Sequence, residues 1–192
     1  SLVITQNQKE YNLTPVIKYW IAPNKTVDPR TFSLIEQNQL FKKDLQTSHE
    51  LNLGFVKEAA WIRVSLQQIA NDNSRWILEI PYLGLDEVNL YTPDGKILHN
   101  GANAQVEERP YFSRFYAFPI DLKEGIQTYY LKVESTYPMT IPLRLVEMSV
   151  FNRTQFTENL IQSLYYGELL SLLLYNLALF LIIRDKKYFL YS

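Results

Sequence analysis

Residues 160–183 read LIQSLYYGELLSLLLYNLALFLII, and no other stretch constrains the fold of this chain so strongly. These 24 residues contain no Lys, Arg or Asp and a single Glu, Glu168. As a helix they span about 36 Å, against a hydrocarbon core of roughly 30 Å. A helix apolar on all sides has to be surrounded by lipid or by protein, and the β-like sequence before it is too short to enclose it. Arg184-Asp185-Lys186-Lys187 follows at once. A basic cluster there puts the C-terminal end in the cytoplasm and the preceding domain outside. Tyr165 and Tyr166 near one end, and Tyr188 and Tyr191 beyond the other, suit interfacial anchoring. Glu168 and Asn176, eight residues apart, lie on roughly one helix face. A carboxylate at membrane depth turns to other helices or to water, whereas one near the outer interface is simply hydrated; both readings stay open.

The rest of the chain bounds its partners. Its 192 residues suit one domain plus an extra element. A formal net charge of −1 gives no basis for a nucleic-acid partner, which requires a clustered basic face. Without cysteine there are no disulfides, thiolate zinc sites or cysteine nucleophiles. No secretory signal is visible, and a start at Ser1-Leu2-Val3 fits a trimmed, mature chain.

Residues 1–11 are polar, lack a clear period and read as a flexible lead. Residues 16–21 suit a short strand stopped by Pro23. Pro29 opens a helix expected over residues 30–43, with Phe32, Ile35 and Leu40 near helical spacing and Asp28 as its cap. From Gly54 onward the period becomes two. Ala60, Ile62, Val64 and Leu66 point one way, and Trp61, Arg63, Ser65 and Gln67 the other. Further strands are expected over residues 75–80, 86–92, 97–99, 114–120, 128–135 and 141–150. Turns are expected at Asn71-Asp72-Asn73-Ser74 and Pro93-Asp94-Gly95-Lys96. No helical crossover separates these strands, which disfavours a parallel sheet. The reading is a mainly β fold: a jelly-roll β-sandwich over residues 12–150, followed by one transmembrane α-helix over 160–183. Residues 151–159 form a junction, itself open to being helical and short enough to transmit a tilt or rotation. Residues 184–192 begin the next, cytoplasmic segment.

Catalytic constellations are hard to find. His49 and His99 are the only histidines, and no HExxH, GxSxG, P-loop or GxGxxG pattern occurs. Asp86 and Glu87, adjacent on an expected strand, point to opposite faces and are not by themselves a carboxylate pair. The fragment reads as no enzyme and as needing no cofactor. The Asn-X-Thr matches at Asn12, Asn24 and Asn152 carry no weight, because the tripeptide is common by chance.

Binding chemistry is better represented. Trp61 and Arg63 share a strand face, as do Asn89 with Tyr91, and Lys132 with Tyr130 and Glu134; Arg109 and Arg114 flank Pro110-Tyr111-Phe112. Aromatic faces stack on the C–H faces of sugars, while Arg, Asn and Glu bind hydroxyls, and Arg also binds carboxylates bidentately. The structural alternative is that Trp61 and Tyr91 lie under a second sheet or under the 30–43 helix. Arg63, Arg109 and Arg114 would then pair with Asp86, Glu87 or Glu108. If these residues form the site, Trp61→Ala weakens binding and leaves the fold intact.

A family resemblance joins these observations. It rests on Leu53-Gly54-Phe55, Ala60-Trp61-Ile62-Arg63-Val64, Trp76-Ile77-Leu78-Glu79, Leu85-Asp86-Glu87-Val88-Asn89-Leu90-Tyr91, Glu108-Arg109-Pro110 and Tyr130-Leu131-Lys132-Val133-Glu134-Ser135. Tyr165-Tyr166-Gly167, Tyr175-Asn176 and Arg184-Asp185 with Tyr188 resemble the start of a seven-helix region. In this order the motifs resemble the 7TMR-DISM receptors, bacterial seven-transmembrane receptors with diverse intracellular signalling modules, and within them the type 2 extracellular domain (DISMED2). The resemblance implies a jelly roll similar to carbohydrate-binding modules, facing the periplasm from the bacterial inner membrane. Its signal would pass through seven helices to a cytoplasmic kinase, cyclase or similar output. Six of those helices and the output are missing here, and Glu168 stands where an apolar residue is expected. The leading expectation is a sensor for a small ligand, carbohydrate first. The alternatives are a module that binds itself or a partner receptor without a small ligand, and a Ca2+-tuned sensor using loops such as those of Asp72 or Asp94.

Overall fold

The computed structural model describes residues 1–5, 7–23, 27–32, 37, 39–43, 50–69 and 74–183. Its strands are β1 (Leu2–Ile4), β2 (Glu10–Asn12), β3 (Lys18–Ala22), β4 (Lys42–Lys43), β5 (Leu51–Gly54), β6 (Ala59–Gln68), β7 (Arg75–Ile80), β8 (Glu87–Tyr91), β9 (Ile97–Asn100), β10 (Tyr116–Asp121), β11 (Gly125–Glu134), β12 (Met139–Ile141) and β13 (Arg144–Glu147). One long helix, α1, covers Met148–Ile183. The chain separates into two compact units, Ser1–Val150 and Phe151–Ser192.

The first unit is built by alternation. Ala60, Ile62, Val64 and Leu66 of β6 turn inward together with Tyr129, Leu131 and Val133 of β11 and Val88 and Leu90 of β8. Trp76, Leu78 and Ile80 of β7, Tyr116, Phe118 and Ile120 of β10 and Leu145 of β13 belong to the same buried cluster. Two sheets therefore share one core. The larger runs β4-β3-β6-β11-β8-β9, with β1 also paired to β6; the smaller runs β10-β7-β13-β2. A third pair, β12-β5, closes one end. Each fully buried Leu, Ile or Phe contributes roughly 1.5–3 kcal/mol of transfer free energy. The pairings are antiparallel except β1 with β6, as the absence of helical crossovers requires. The mainly β fold followed by a long apolar helix is thus the one expected.

The structure corrects the sequence reading in three places. Residues 1–11 are not a free lead. Leu2–Ile4 pairs with the far half of β6, and Glu10–Asn12 forms the outer strand beside β13. Tyr11 and Ile4 are buried, so one inward side chain per short strand is enough to hold a segment too brief to show a period. The strand expected over residues 141–150 is divided. Pro142 lacks the N–H a ladder requires; Met139–Ile141 pairs with β5, while Arg144–Glu147 pairs with β7 and β2. Residues 148–150 already belong to α1. The helix expected over residues 30–43 lies partly outside the described residues. Of the rest, Gln37, Gln39 and Leu40 are helical as expected; Asp28 does cap a turn, its carboxylate accepting the Arg30 N–H at 2.9 Å, but that turn is a single 3-10 helix, Pro29–Thr31. The expected helix end is the strand Lys42–Lys43. His49 and Asp72 lie outside the described residues.

Residues 151–159 are helical as part of α1, which contains one candidate membrane span, Met148–Ile182. By its length and composition this helix can cross a membrane.

One charged group sits in the interior of the smaller sheet. The Glu79 carboxylate is almost wholly buried and accepts from the Arg144 guanidinium, whose Nη1 also lies 3.2 Å from Glu10. Removing the cation strands a buried carboxylate, which costs about 3–5 kcal/mol. Arg144→Met should therefore destabilise the fold by about that amount, read as a lower midpoint in urea unfolding; a loss under 1 kcal/mol would show that the pair does not stabilise it.

Candidate functional site

Sheet register decides which of the sequence-derived site residues meet. Trp20, Trp61, Lys132, Asn89 and His99 fall in one cross-strand row of the larger sheet. Lys18, Arg63, Tyr130, Tyr91 and Ile97 fall in the next, and Glu134 stands opposite Glu87 in a third. Six of the expected residues, Trp61, Arg63, Asn89, Tyr91, Lys132 and Glu134, thus share the outer face of β6, β11 and β8. Arg109 and Arg114 do not join them. They belong to the connection between β9 and β10, where the Arg114 guanidinium lies over the neighbouring Phe115 ring at 5.4 Å. Arg109 is half-buried and acts electrostatically on Tyr116 of the smaller sheet.

Half of the shared face is roofed. Trp61 is 0% exposed and forms a second buried cluster with Ala22, Phe41 and Tyr130, against which Trp20, Leu40 and Tyr91 pack. Phe41 lies 5.8 Å from Tyr130 and 6.1 Å from Trp20, and Phe32 lies 5.7 Å from Trp20, ring centre to ring centre. Tyr91 stacks at a tilt on Trp61 at 5.1 Å and carries Arg30 over its ring at 5.1 Å, a cation–π contact that Asp28 holds by an ion pair of 2.7 Å. Burial pushes the Tyr91 phenol above its ordinary pKa, with Lys132 opposing. Trp61 has no surface open to a sugar ring, so its substitution acts on the fold. Trp61→Ala should cost about 3–5 kcal/mol of stability, seen in denaturant unfolding; an unchanged midpoint would contradict the burial.

Beyond the roof, the face becomes a polar ladder. Lys132 and Glu134 form an ion pair of 2.8 Å with both side chains mostly buried. Asn89 donates from Nδ2 to Glu87, and its Oδ1 lies 2.8 Å from His99 Nδ1. The ladder leads to the end of β8 and β11, where a cleft of about 500 Å³ opens. Phe55, Val56 and Lys57 from the β5–β6 turn line one side, and Ser135, Thr136 and Tyr137 beyond β11 another. Asp86, Glu87, Glu134 and Asn103 supply its polar lining. Phe55 is 81% exposed and Tyr137 63%, so two rings stand beside three carboxylates. Asp86 is fixed by the Thr136 N–H at 2.6 Å, and the Ser135 hydroxyl donates to the Gly84 carbonyl at 2.8 Å. A carboxylate has about four acceptor positions, so these carboxylates keep capacity for hydroxyl or ammonium donors.

Phe55, Tyr137, Asp86 and Glu87 are the residues that sequence reasoning missed as a site. Asp86 precedes the first residue of β8, so strict alternation does not apply there, and it lines the same cleft as Glu87. Phe55 follows Gly54, whose φ of +65° turns the chain and leaves the ring outside the sheet. No group of three or more His, Cys, Asp or Glu is placed to hold a metal ion among the described residues. Asp94, in the Pro93–Lys96 turn, is ion-paired to Lys96 at 2.9 Å; the Thr92 hydroxyl and then Lys96 hold its carboxyl down to about 2.

A β domain with a ligand-sized surface cleft, continuing into a helix able to cross a membrane, has the form of a receptor's outer module. The family model described as 7TMR-DISM extracellular 2 matches residues 14–147, and the chain belongs to that family. It is the extracellular domain of a membrane receptor with one apolar helix attached. The comparison with curated proteins returns no match.

The cleft depends on one glycine. Gly101 has φ +130°, and a Cβ there would run into the Asp86 carbonyl, beside which Ala102 N–H bonds to Leu85 and Asn103 N–H to Asp86. Gly101→Ala should destabilise the domain by about 1–3 kcal/mol; a thermal midpoint equal to that of the parent chain would refute this close approach.

Proposed function

We propose that this domain senses a small hydroxylated ligand, carbohydrate first, in the cleft bounded by Phe55 and Tyr137, on the periplasmic side of a bacterial inner membrane. The observation that carries the reading is the pairing of two exposed rings with the carboxylates Asp86, Glu87 and Glu134 in a volume of about 500 Å³. Rings offer flat apolar faces to sugar C–H groups, and carboxylates fixed by protein donors accept hydroxyls in defined directions. Binding favours whichever arrangement of the receptor holds the cleft closed on its ligand, by no more than the difference in affinity between the two arrangements. The signal then passes through the membrane helices to a cytoplasmic kinase, cyclase or similar module.

A second reading, a protein-interaction or dimerisation surface, draws on the loop between β9 and β10. There Phe112 is 86% exposed and Val106 54%, both outside the cleft. Concentration-dependent self-association in sedimentation, lost in Phe112→Ser, would favour it.

The test is thermal unfolding of the full chain in detergent micelles against neutral sugars, amino sugars and uronic acids, with Ca2+ as a separate arm. A ligand at a hundred times its Kd adds about 2.7 kcal/mol to the folded state. One sugar class should raise the midpoint, and Tyr137→Ala should weaken its binding about tenfold, ~1.4 kcal/mol. A shift that survives Tyr137→Ala and Glu87→Gln together would remove this cleft from the mechanism. A shift with Ca2+ alone would replace the carbohydrate reading, and no shift with any arm would favour the interaction surface.

A further inference from the structure

A second cleft, of about 530 Å³, opens at the opposite end of β8 and β11, between the hairpin turn after β8 and the end of β10. Its inner wall is apolar, with three prolines and Leu98. Within it lies the side chain of Tyr129, which points into the shared core and is 2% exposed. The Tyr129 hydroxyl has no hydrogen-bond partner among the described residues. Its oxygen is not sealed in the core but is reached from the cleft, so a polar group of a bound molecule can take the place of water there. Around the mouth stand Asp94 and Lys96, joined by their ion pair, and Asp121 and Lys123, which make no ion pair among the described residues. Burial, followed by the fields of Asp94 and Asp121, raises the Tyr129 phenol far above its ordinary pKa, so it stays neutral as a donor or acceptor.

We propose that this cleft is a second binding site, for a small amino-carboxylate zwitterion such as a free amino acid. The lining carries two carboxylates and two ammonium groups, a balanced set that offers a partner to each charge of a ligand with both signs. With Asp94 already neutralised by Lys96, the ligand's ammonium group goes to Asp121 and the Tyr129 oxygen. Its carboxylate goes to Lys123. Asp121 and Lys123 are two residues apart, about 7 Å between Cα atoms at full extension, close enough for their side chains to take the two ends of one small zwitterion. The apolar wall accommodates the side chain. This site shares no lining residue with the cleft of Phe55 and Tyr137, and it stands or falls separately.

The experiment titrates the full chain in detergent micelles with the free amino acids, each set against its N-acetyl derivative and its methyl ester. At least one free amino acid should bind, and capping either end should weaken it tenfold or more. Tyr129→Phe should weaken it at least tenfold while leaving the thermal midpoint of the unliganded chain unchanged or higher, because the hydroxyl makes no hydrogen bond within the protein among the described residues. Tyr137→Ala, in the other cleft, should leave this affinity intact. Binding of the capped forms as tight as the free amino acid overturns the proposal, as does absence of binding by every free amino acid. A fall in the unliganded midpoint with Tyr129→Phe also overturns it, since the hydroxyl would then have a structural partner.

Discussion

The pairing of β11 along both its edges is the constraint on which the rest of the domain depends. Gly125 to Val133 pairs with β6, and Tyr130 to Glu134 pairs with β8, so this strand is fixed from two sides. A slip of one residue would turn Tyr129, Leu131 and Val133 out of the core and put Tyr130 and Lys132 into it. With that register fixed, the start of the strand delivers Gln127 and Tyr129 to one end of the domain and its finish delivers Glu134 to the other. Both clefts are consequences of where a single ladder begins and stops.

The smaller sheet is tied to the same frame by a tyrosine. The Tyr116 hydroxyl on β10 lies 2.7 Å and 2.8 Å from the carbonyls of Leu83 and Leu85 in the connection from β7 to β8. That connection carries Asp86 into its cleft. Burial raises the phenol's pKa, with the Leu85 bond opposing, so it remains a donor through the ordinary pH range.

The sequence was most legible where period and burial agree. The inward set of β6, the extent of β7 and the turn before β9 could all be read from alternation and from the Pro-Asp-Gly signal, because each is decided by neighbours a few residues away. At Trp61 alternation alone leaves a ligand surface and a covered surface both open, and the structure takes the second, with the 30–43 segment as the cover. That cover, Phe41, comes from a segment twenty residues earlier whose path is set by tertiary packing, so a polar alternation pattern could not by itself reveal a second small core. The short strands β1 and β2 lack the length to display a period at all. The cleft of Phe55 and Tyr137 was half visible: Glu134 was named from its strand face, while the rings come from turns, where side-chain direction follows backbone torsions that the residue pattern does not encode. The apolar run at 160–183 needed no context, since a continuous hydrophobic stretch of that length has few other uses.

The two short strands before residue 14 have a practical consequence. β1 completes the side of β6 that β3 leaves open, and β2 covers the outer edge of β13. A recombinant fragment trimmed to residues 14–147 would keep nearly all of the hydrophobic core yet bare both of those backbone edges. Unpaired N–H and C=O groups on flat strands recruit other chains, so such a fragment is set to precipitate or to form intermolecular sheets. Crystallisation and solution work would fare better with boundaries that retain Leu2.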